Sequence, residues 1–154
     1  MEAEELTREA ADLIDSDLEE AEALLRRALA ADIFFGPAHN NLGVVFLKRK
    51  MLYEAANELE WARKLMPGHP DPKLNLAITL EQAGRGEEAI AEYTAALEVY
   101  PGYLPAIQGL ARAAVRDGRE EARLEAWRRR IALESPEPGW SAWGRAKLGH
   151  AGGD

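Results

Sequence analysis

Apolar and small residues recur along this chain with a period of 34 residues. Over residues 36–103 the pattern consists of two successive copies of one unit. The matched pairs are Leu42 and Leu76, Ala55 and Ala89, Leu59 and Tyr93, Ala62 and Ala96, and Pro67 and Pro101. Weaker copies flank them, since Ala21, Leu25 and Ala28 lie one period earlier and Leu110 and Trp127 one period later. Repetition at this length predicts a solenoid in which each unit buries its apolar face against its neighbours.

The spacing of apolar residues within each unit predicts two helices joined by a short turn. Asp17, with Glu20 three residues later, has the pattern of a helix N-cap, and Asp71 followed by Pro72 is predicted to cap and open a later helix. The predicted helices are 2–15, one beginning after Asp17, 37–50, 52–65, one beginning at Pro72, and 86–99.

The pattern inside the unit resembles the tetratricopeptide repeat. One copy carries Leu42, Gly43, Phe46, Ala55, Leu59, Ala62 and Pro67, and the next carries Leu76, Ala77, Leu80, Ala89, Tyr93, Ala96 and Pro101. The tryptophan that opens the family's repeat is replaced by His39 and Lys73. The resemblance implies an all-α fold, a right-handed α-solenoid of about three and a half to four helix-turn-helix units with a C-terminal capping helix.

We expect a single domain over residues 1–149. Its predicted parts are a degenerate repeat at 2–35, full repeats at 36–69 and 70–103, a degenerate repeat at 104–137, a capping helix at 138–149 and a frayed tail at 150–154. In the fourth unit Leu110, Leu124, Trp127 and Ile131 are predicted to continue the apolar stripe. Trp140, Trp143 and Leu148 are predicted to cover its open end.

Composition and charge narrow the function classes. The chain has 154 residues, no cysteine and a net charge of −8. Residues 1–35 hold 11 acidic and three basic residues, which is the whole excess. This balance argues against nucleic-acid binding, which needs a basic surface. The acidic start lacks the pattern of a signal peptide, and no apolar run is long enough to span a membrane, so a cytoplasmic protein is expected.

Residue patterns typical of catalysis and of metal binding are missing from the sequence. His39, His69 and His150 are far apart, and Gly84 and Gly86 are better explained as a turn between helices than as a phosphate-binding loop. We therefore expect no enzyme activity, no metal site and no cofactor.

The function expected is binding of a protein or peptide as a scaffold, because in tetratricopeptide arrays the first helix of each unit lines a concave groove. The predicted groove residues are Asn41, Val44, Lys48, Asn75, Ile78, Gln108, Arg112 and Arg116. Asn41 and Asn75 resemble the asparagine ladder that holds a peptide backbone, and Gly109 interrupts it. The family's clamp for chaperone C-termini lacks all but the middle asparagine, so chaperone-tail binding is not expected.

Three questions remain open from the sequence. The chain could be a self-assembling structural part, in which the end of one copy completes the stack of another, making a homo-oligomer. The run Ile33-Phe34-Phe35 is expected to fill the gap between units with two of its side chains, or else to form an exposed contact patch. Trp61 is expected either to point outward as a contact residue or to fold back over its helix.

Overall fold

A computed structural model describes residues 1–134, which form eight α-helices and no strand within that range. The helices are α1 (Glu2–Leu13), α2 (Leu18–Ala31), α3 (Gly36–Lys48), α4 (Leu52–Leu65), α5 (Pro70–Gln82), α6 (Gly86–Val99), α7 (Leu104–Arg116) and α8 (Glu120–Glu134). The all-α solenoid expected from the sequence is confirmed. The predicted capping helix with Trp140, Trp143 and Leu148, and the tail after it, lie outside the described residues.

The helices pack as four antiparallel pairs, α1 with α2, α3 with α4, α5 with α6 and α7 with α8. Each even-numbered helix also packs against the odd-numbered helix that follows it. In addition, α1 contacts α3, α3 contacts α5, and α5 contacts α7. Within the described residues the even-numbered helices make no comparable contacts with one another, so the odd-numbered helices lie closer together and line the inner side of the array.

Small residues lie where the helices cross. The repeated alanines Ala21, Ala28, Ala55, Ala62, Ala89 and Ala96 are all fully buried. Gly43 and Gly109 serve the same purpose on the odd-numbered helices, since an added Cβ would overlap the Leu59 side chain at Gly43 and the Tyr93 ring at Gly109. The helix crossings therefore require small side chains at these positions, as the 34-residue pattern predicts for the alanines.

Helix ends follow the sequence signals in part. The Asp17 carboxylate accepts a hydrogen bond from the Glu20 backbone N–H at 3.1 Å, which confirms the predicted cap. Asp71 is not a cap: α5 begins at Pro70, and Asp71 in its first turn instead accepts a hydrogen bond from the Tyr103 hydroxyl at 2.5 Å. The predicted end of α3 at Lys50 is also wrong, because Lys50 has a left-handed backbone (φ 61) that ends the helix before it.

The apolar stripe predicted for the fourth unit is present at Leu110, which is 2% exposed, but not at Leu124 or Trp127 of α8, and the side chain of Ile131 lies outside the described residues. Ala126 enters the core, whereas Leu124 is 39% exposed and Trp127 is 52% exposed. The predicted face would have carried Arg123 and Arg130 inward in place of the small alanines of earlier units. Because burying unpaired guanidinium groups is costly, α8 turns a different face to the core.

The turn between α2 and α3 also differs from the expectation that two of its three large apolar residues fill the gap between units. Only Phe35 packs against the core. Ile33 is 52% exposed and Phe34 is 67% exposed. The turn thus presents apolar surface to solvent.

Candidate functional site

The predicted groove residues all lie on the odd-numbered helices α3, α5 and α7. Val44 and Ile78 are half-buried, and Gln108 is exposed. The inner side of the array therefore combines apolar surface on α3 and α5 with polar side chains on all three helices.

The two asparagines of the predicted ladder belong to a chain of amides that joins α3 to α5. Asn75 donates from Nδ2 to the Asn40 Oδ1 at 3.1 Å, and Asn40 donates to the Asn41 Oδ1 at the longer distance of 3.5 Å. Within the described residues, Asn41 Nδ2 donates no hydrogen bond and Asn75 Oδ1 accepts none. One donor group and one acceptor therefore remain available, one on each helix.

Packing explains why position 109 holds glycine, where the period would place a third asparagine. The ring of Tyr93 occupies the space next to its Cα, so no side chain fits there. The asparagine pattern stops at α7 because α6 packs its tyrosine against that position.

An ion-pair network centred on one buried carboxylate, which we call the inner seam, joins α5 to α7 at the end of the groove. Its residues are Glu81, Tyr93, Arg112 and Arg116. The Glu81 side chain is 5% exposed, and both arginine side chains are 54% exposed. Glu81 accepts hydrogen bonds from the Tyr93 hydroxyl at 2.6 Å and from Arg112 Nε and Nη2 at 3.1 and 3.0 Å. Arg116 Nη2 lies 3.1 Å from Glu81 Oε2, the oxygen that also accepts from Arg112 Nε.

The electrostatics of the inner seam keep Glu81 ionised. Burial alone would raise the pKa of Glu81, but hydrogen bonds from Arg112 and Tyr93 and the charges of both arginines lower it below its ordinary value. Burial and the Glu81 carboxylate raise the pKa of Tyr93, which stays a neutral donor. One carboxylate thus faces two guanidinium groups, which leaves one positive charge in excess at the groove.

Lys48, the third predicted cation of the groove, lies elsewhere along it. Its ammonium group is 3.2 Å from the Asp15 carboxylate beyond α1. The structure therefore brings Arg112 and Arg116 together and keeps Lys48 apart from them.

Sequence reasoning missed Glu81 as the centre of the inner seam. A signal for it exists in Tyr93, which occupies the repeated core position held by Leu59 in the preceding unit. A tyrosine hydroxyl in a core needs a hydrogen-bond partner, and the acidic residue of the facing helix provides it.

A second cluster lies on the outer side, at the junction of α2, α3 and α4. We call it the outer notch, a depression of about 390 Å³ lined by Arg26, Leu29, Ala30, Ile33, His39, Leu42, Glu58 and Trp61. His39 is buried and lies 2.6 Å from the Glu58 carboxylate through Nδ1 and 2.7 Å from the Ile33 carbonyl through Nε2. Trp61 stacks on the His39 ring, with the ring centres 5.3 Å apart, yet remains 46% exposed.

Residues 1–134 lack the features of a metal site and of a membrane span. They contain no group of three or more His, Cys, Asp or Glu side chains placed to hold a metal ion. None of the helices they form is both long enough and apolar enough to cross a membrane.

Comparison with solved structures identifies the fold. A crystal structure of MamA superimposes with a TM-score of 0.78 at 20% identity, covering 86% of this chain and 78% of that one. MamA from Desulfovibrio magneticus RS-1, from residue 41 to its end, matches with a TM-score of 0.76 at 21% identity, covering 86% and 75%. MamA is a protein of the tetratricopeptide-repeat type.

The chain has the tetratricopeptide-repeat fold. At these identities the likeness extends to the fold alone. No family model matches the sequence, and no curated protein matches it. The fold confirms the resemblance read from the 34-residue pattern, and the groove on α3, α5 and α7 is the surface that it makes available.

Proposed function

We propose that this protein is a non-catalytic scaffold that binds an extended segment of a partner protein in the groove lined by α3, α5 and α7, in the cytoplasm. The observation that carries the proposal is that the amide side chains of Asn41 and Asn75 each keep one group without a hydrogen-bond partner within the described residues. An amide side chain can donate to a peptide carbonyl and accept from a peptide N–H, so it can hold a backbone with little regard to its sequence.

The two asparagines divide these roles between them. Asn41 keeps its Nδ2 donors for a ligand carbonyl, and Asn75 keeps its Oδ1 acceptor for a ligand N–H. Their mutual connection through Asn40 fixes both side chains before a ligand arrives, which lowers the entropy cost of binding. Val44 and Ile78, one period apart, supply apolar contact beside them.

The charge of the groove favours an acidic residue on the ligand. Arg112 and Arg116 are held in place by Glu81, and about half of each side chain remains accessible. The excess positive charge is therefore preorganised, which favours a carboxylate near the α7 end of the groove. Gln108, exposed on the same helix, adds an uncharged polar contact.

Self-assembly through the terminal repeats is a second candidate, favoured by the division of charge along the chain. The region 1–35 carries the acidic excess, whereas 104–154 holds nine basic and seven acidic residues. Opposite charge on the two ends favours end-to-end association of copies. Sedimentation over a range of protein concentrations tests this candidate, and a concentration-independent monomer at low salt removes it.

The groove proposal is tested by selecting binders from a random-sequence displayed peptide library and mapping the best peptide by NMR. We expect the peptide to perturb backbone amides of α3, α5 and α7 and to compete with other selected peptides for one site. Perturbations confined to α4 and α6 would place the binding surface on the outer side and contradict the proposal. An acidic residue should be enriched at one fixed position of the selected peptides.

A further inference from the structure

The outer notch is a place where this chain departs from its own repeat pattern. The positions equivalent to Trp61 hold Arg27, Ala95 and Arg129, and those equivalent to Ile33 and Phe34 hold Pro67 with Gly68 and Pro101 with Gly102. In a repeat array the common features serve the stacking of units. Stacking therefore does not explain a tryptophan and two large apolar turn residues that meet at one junction.

One of the contacts of His39 is part of the repeat framework. Lys73, one period later, donates from Nζ to the Pro67 carbonyl at 2.9 Å, as His39 contacts the Ile33 carbonyl. The contacts of His39 with Glu58 and with the Trp61 ring are particular to this junction. They hold the indole and the carboxylate of the notch in fixed positions.

The walls of the notch are suited to an uncharged side chain. Leu29, Ala30, Ile33 and Trp61 supply apolar surface, and Leu42, which is 2% exposed, is a buried part of the lining. Each charged residue of the lining already has a partner within this chain. The exposed Arg26 pairs with Glu22 at 2.9 Å, and Glu58 pairs with His39 at 2.6 Å. A charged ligand group entering the notch would lose water without gaining an unpaired counter-charge.

The exposed apolar area limits the size of the occupant. The exposed parts of Ile33 and Trp61 in the notch, together with Phe34 next to Ile33 in the turn, amount to about 400 Å². A stable protein–protein interface buries about 800 Å² on each partner. The area suits a short segment with one anchoring side chain, and it falls short of what a dimer of this chain needs.

We infer that the outer notch is a second binding site, which receives one large apolar side chain, such as leucine or phenylalanine, from a short segment of a partner protein. The site is separate from the groove, because it lies between α2 and α4 on the opposite side of the odd-numbered helices. A single partner chain could thus be held by its backbone on the inner side and by an apolar anchor on the outer side.

The test uses blocked ten-residue peptides of glycine and serine with one central Leu, Phe, Lys or Glu, titrated against the full chain. The readout is the NMR signal of the Trp61 indole N–H, assigned with Trp61→Phe. We expect the Leu and Phe peptides to shift this signal saturably, with millimolar dissociation constants, and the Lys and Glu peptides to leave it unchanged.

Matched variants on α2 separate the notch from the general surface. Ala30 lines the notch and Ala23 is exposed elsewhere on the same helix, so Ala30→Arg should abolish the shift and Ala23→Arg should preserve it. Both positions are exposed, so both variants should keep the melting temperature of the parent chain. The inference is overturned if no peptide shifts the Trp61 signal, if charged peptides bind as well as apolar ones, or if Ala30→Arg still binds. Concentration-dependent dimerisation that Ala30→Arg abolishes would assign the notch to a second copy and also overturn it.

Discussion

The inner seam and the outer notch both join helices through a buried polar side chain, but the seam exposes cationic groups and the notch exposes apolar ones. Each has one buried polar side chain that bridges helices, Glu81 at 5% exposure in the seam and His39 at 4% in the notch. The seam connects α5 and α6 to α7 through two arginines, so cationic groups face the solvent. The notch connects α3 to α4 and to the preceding turn, so Trp61 and Ile33 face the solvent.

The difference shows how a repeat array acquires distinct binding surfaces without a change of fold. The two clusters lie at different positions of the repeat, one on the inner and one on the outer side, and the helix crossings near both keep their buried alanines. Only the residues above the crossings differ. Variants that disturb one cluster should therefore leave the other intact, which the following predictions examine.

The largest loss of stability is expected from a substitution at Gly109, which packs against Tyr93 of the inner seam. Gly109→Ala should lower the free energy of unfolding by about 2–3 kcal/mol, because the new methyl group would overlap the Tyr93 ring and Tyr93 is pinned by Glu81. Gly68→Ala is the control, since an added Cβ there meets nothing within 4 Å. Chemical denaturation of both variants measures the difference, and equal stability would contradict the packing described here.

A smaller loss of stability is expected when the negative charge of Glu81 is removed. Glu81→Gln should cost about 2 kcal/mol near neutral pH, because a carboxylate that accepts charge-assisted hydrogen bonds is replaced by a neutral amide. Its folded-state pKa lies below the unfolded value. The stabilisation is therefore complete above the unfolded pKa and is lost as the pH falls through the folded pKa.

Denaturation curves over a series of acidic pH values measure this dependence. The gap between the parent chain and Glu81→Gln should close as the solution becomes more acidic. The exposed Glu87, which pairs with Arg119 at 3.0 Å, supplies the control variant Glu87→Gln, whose effect should be small at every pH. A gap that stays constant down to acid pH would exclude an ionised Glu81 as its source.

The smallest of the stability effects is expected at the notch. His39→Leu removes two hydrogen bonds from a site partly open to solvent, so we expect a loss of about 1 kcal/mol together with a red shift of the Trp61 fluorescence. Lys73→Met, at the equivalent place one period later, removes one exposed hydrogen bond and should cost less than about 0.5 kcal/mol. If the two substitutions lower the free energy of unfolding equally, the contacts of His39 beyond the one shared with Lys73 add no stability, which would contradict the description of the notch.

The sequence predicted the fold well where the period governs packing. The buried alanines and the bounds of α4 and α6 agree with the 34-residue pattern, because each rests on a small side chain or a turn that the unit repeats. The pattern failed in α8, where arginines in place of alanines turned another face inward.

The candidate site was harder to predict because it depends on contacts between residues far apart in the chain. The sequence identified Arg112 and Arg116 as available cations, but their common partner Glu81 lies one unit earlier on α5. The stack of Trp61 on His39 likewise joins residues of different helices whose spacing carries no motif. Whether the asparagine positions form a ladder depends on a ligand, so that prediction stays a prediction.

The central claim, that the groove holds a peptide backbone through Asn41 and Asn75, is tested most directly by calorimetric titration of a selected groove peptide. Asn41→Ala and Asn75→Ala should each weaken binding by about 0.5–1.5 kcal/mol, and the double variant by about 5- to 150-fold. Asn57→Ala, an exposed asparagine on α4, should bind like the parent chain. An unchanged dissociation constant in the double variant would contradict the claim.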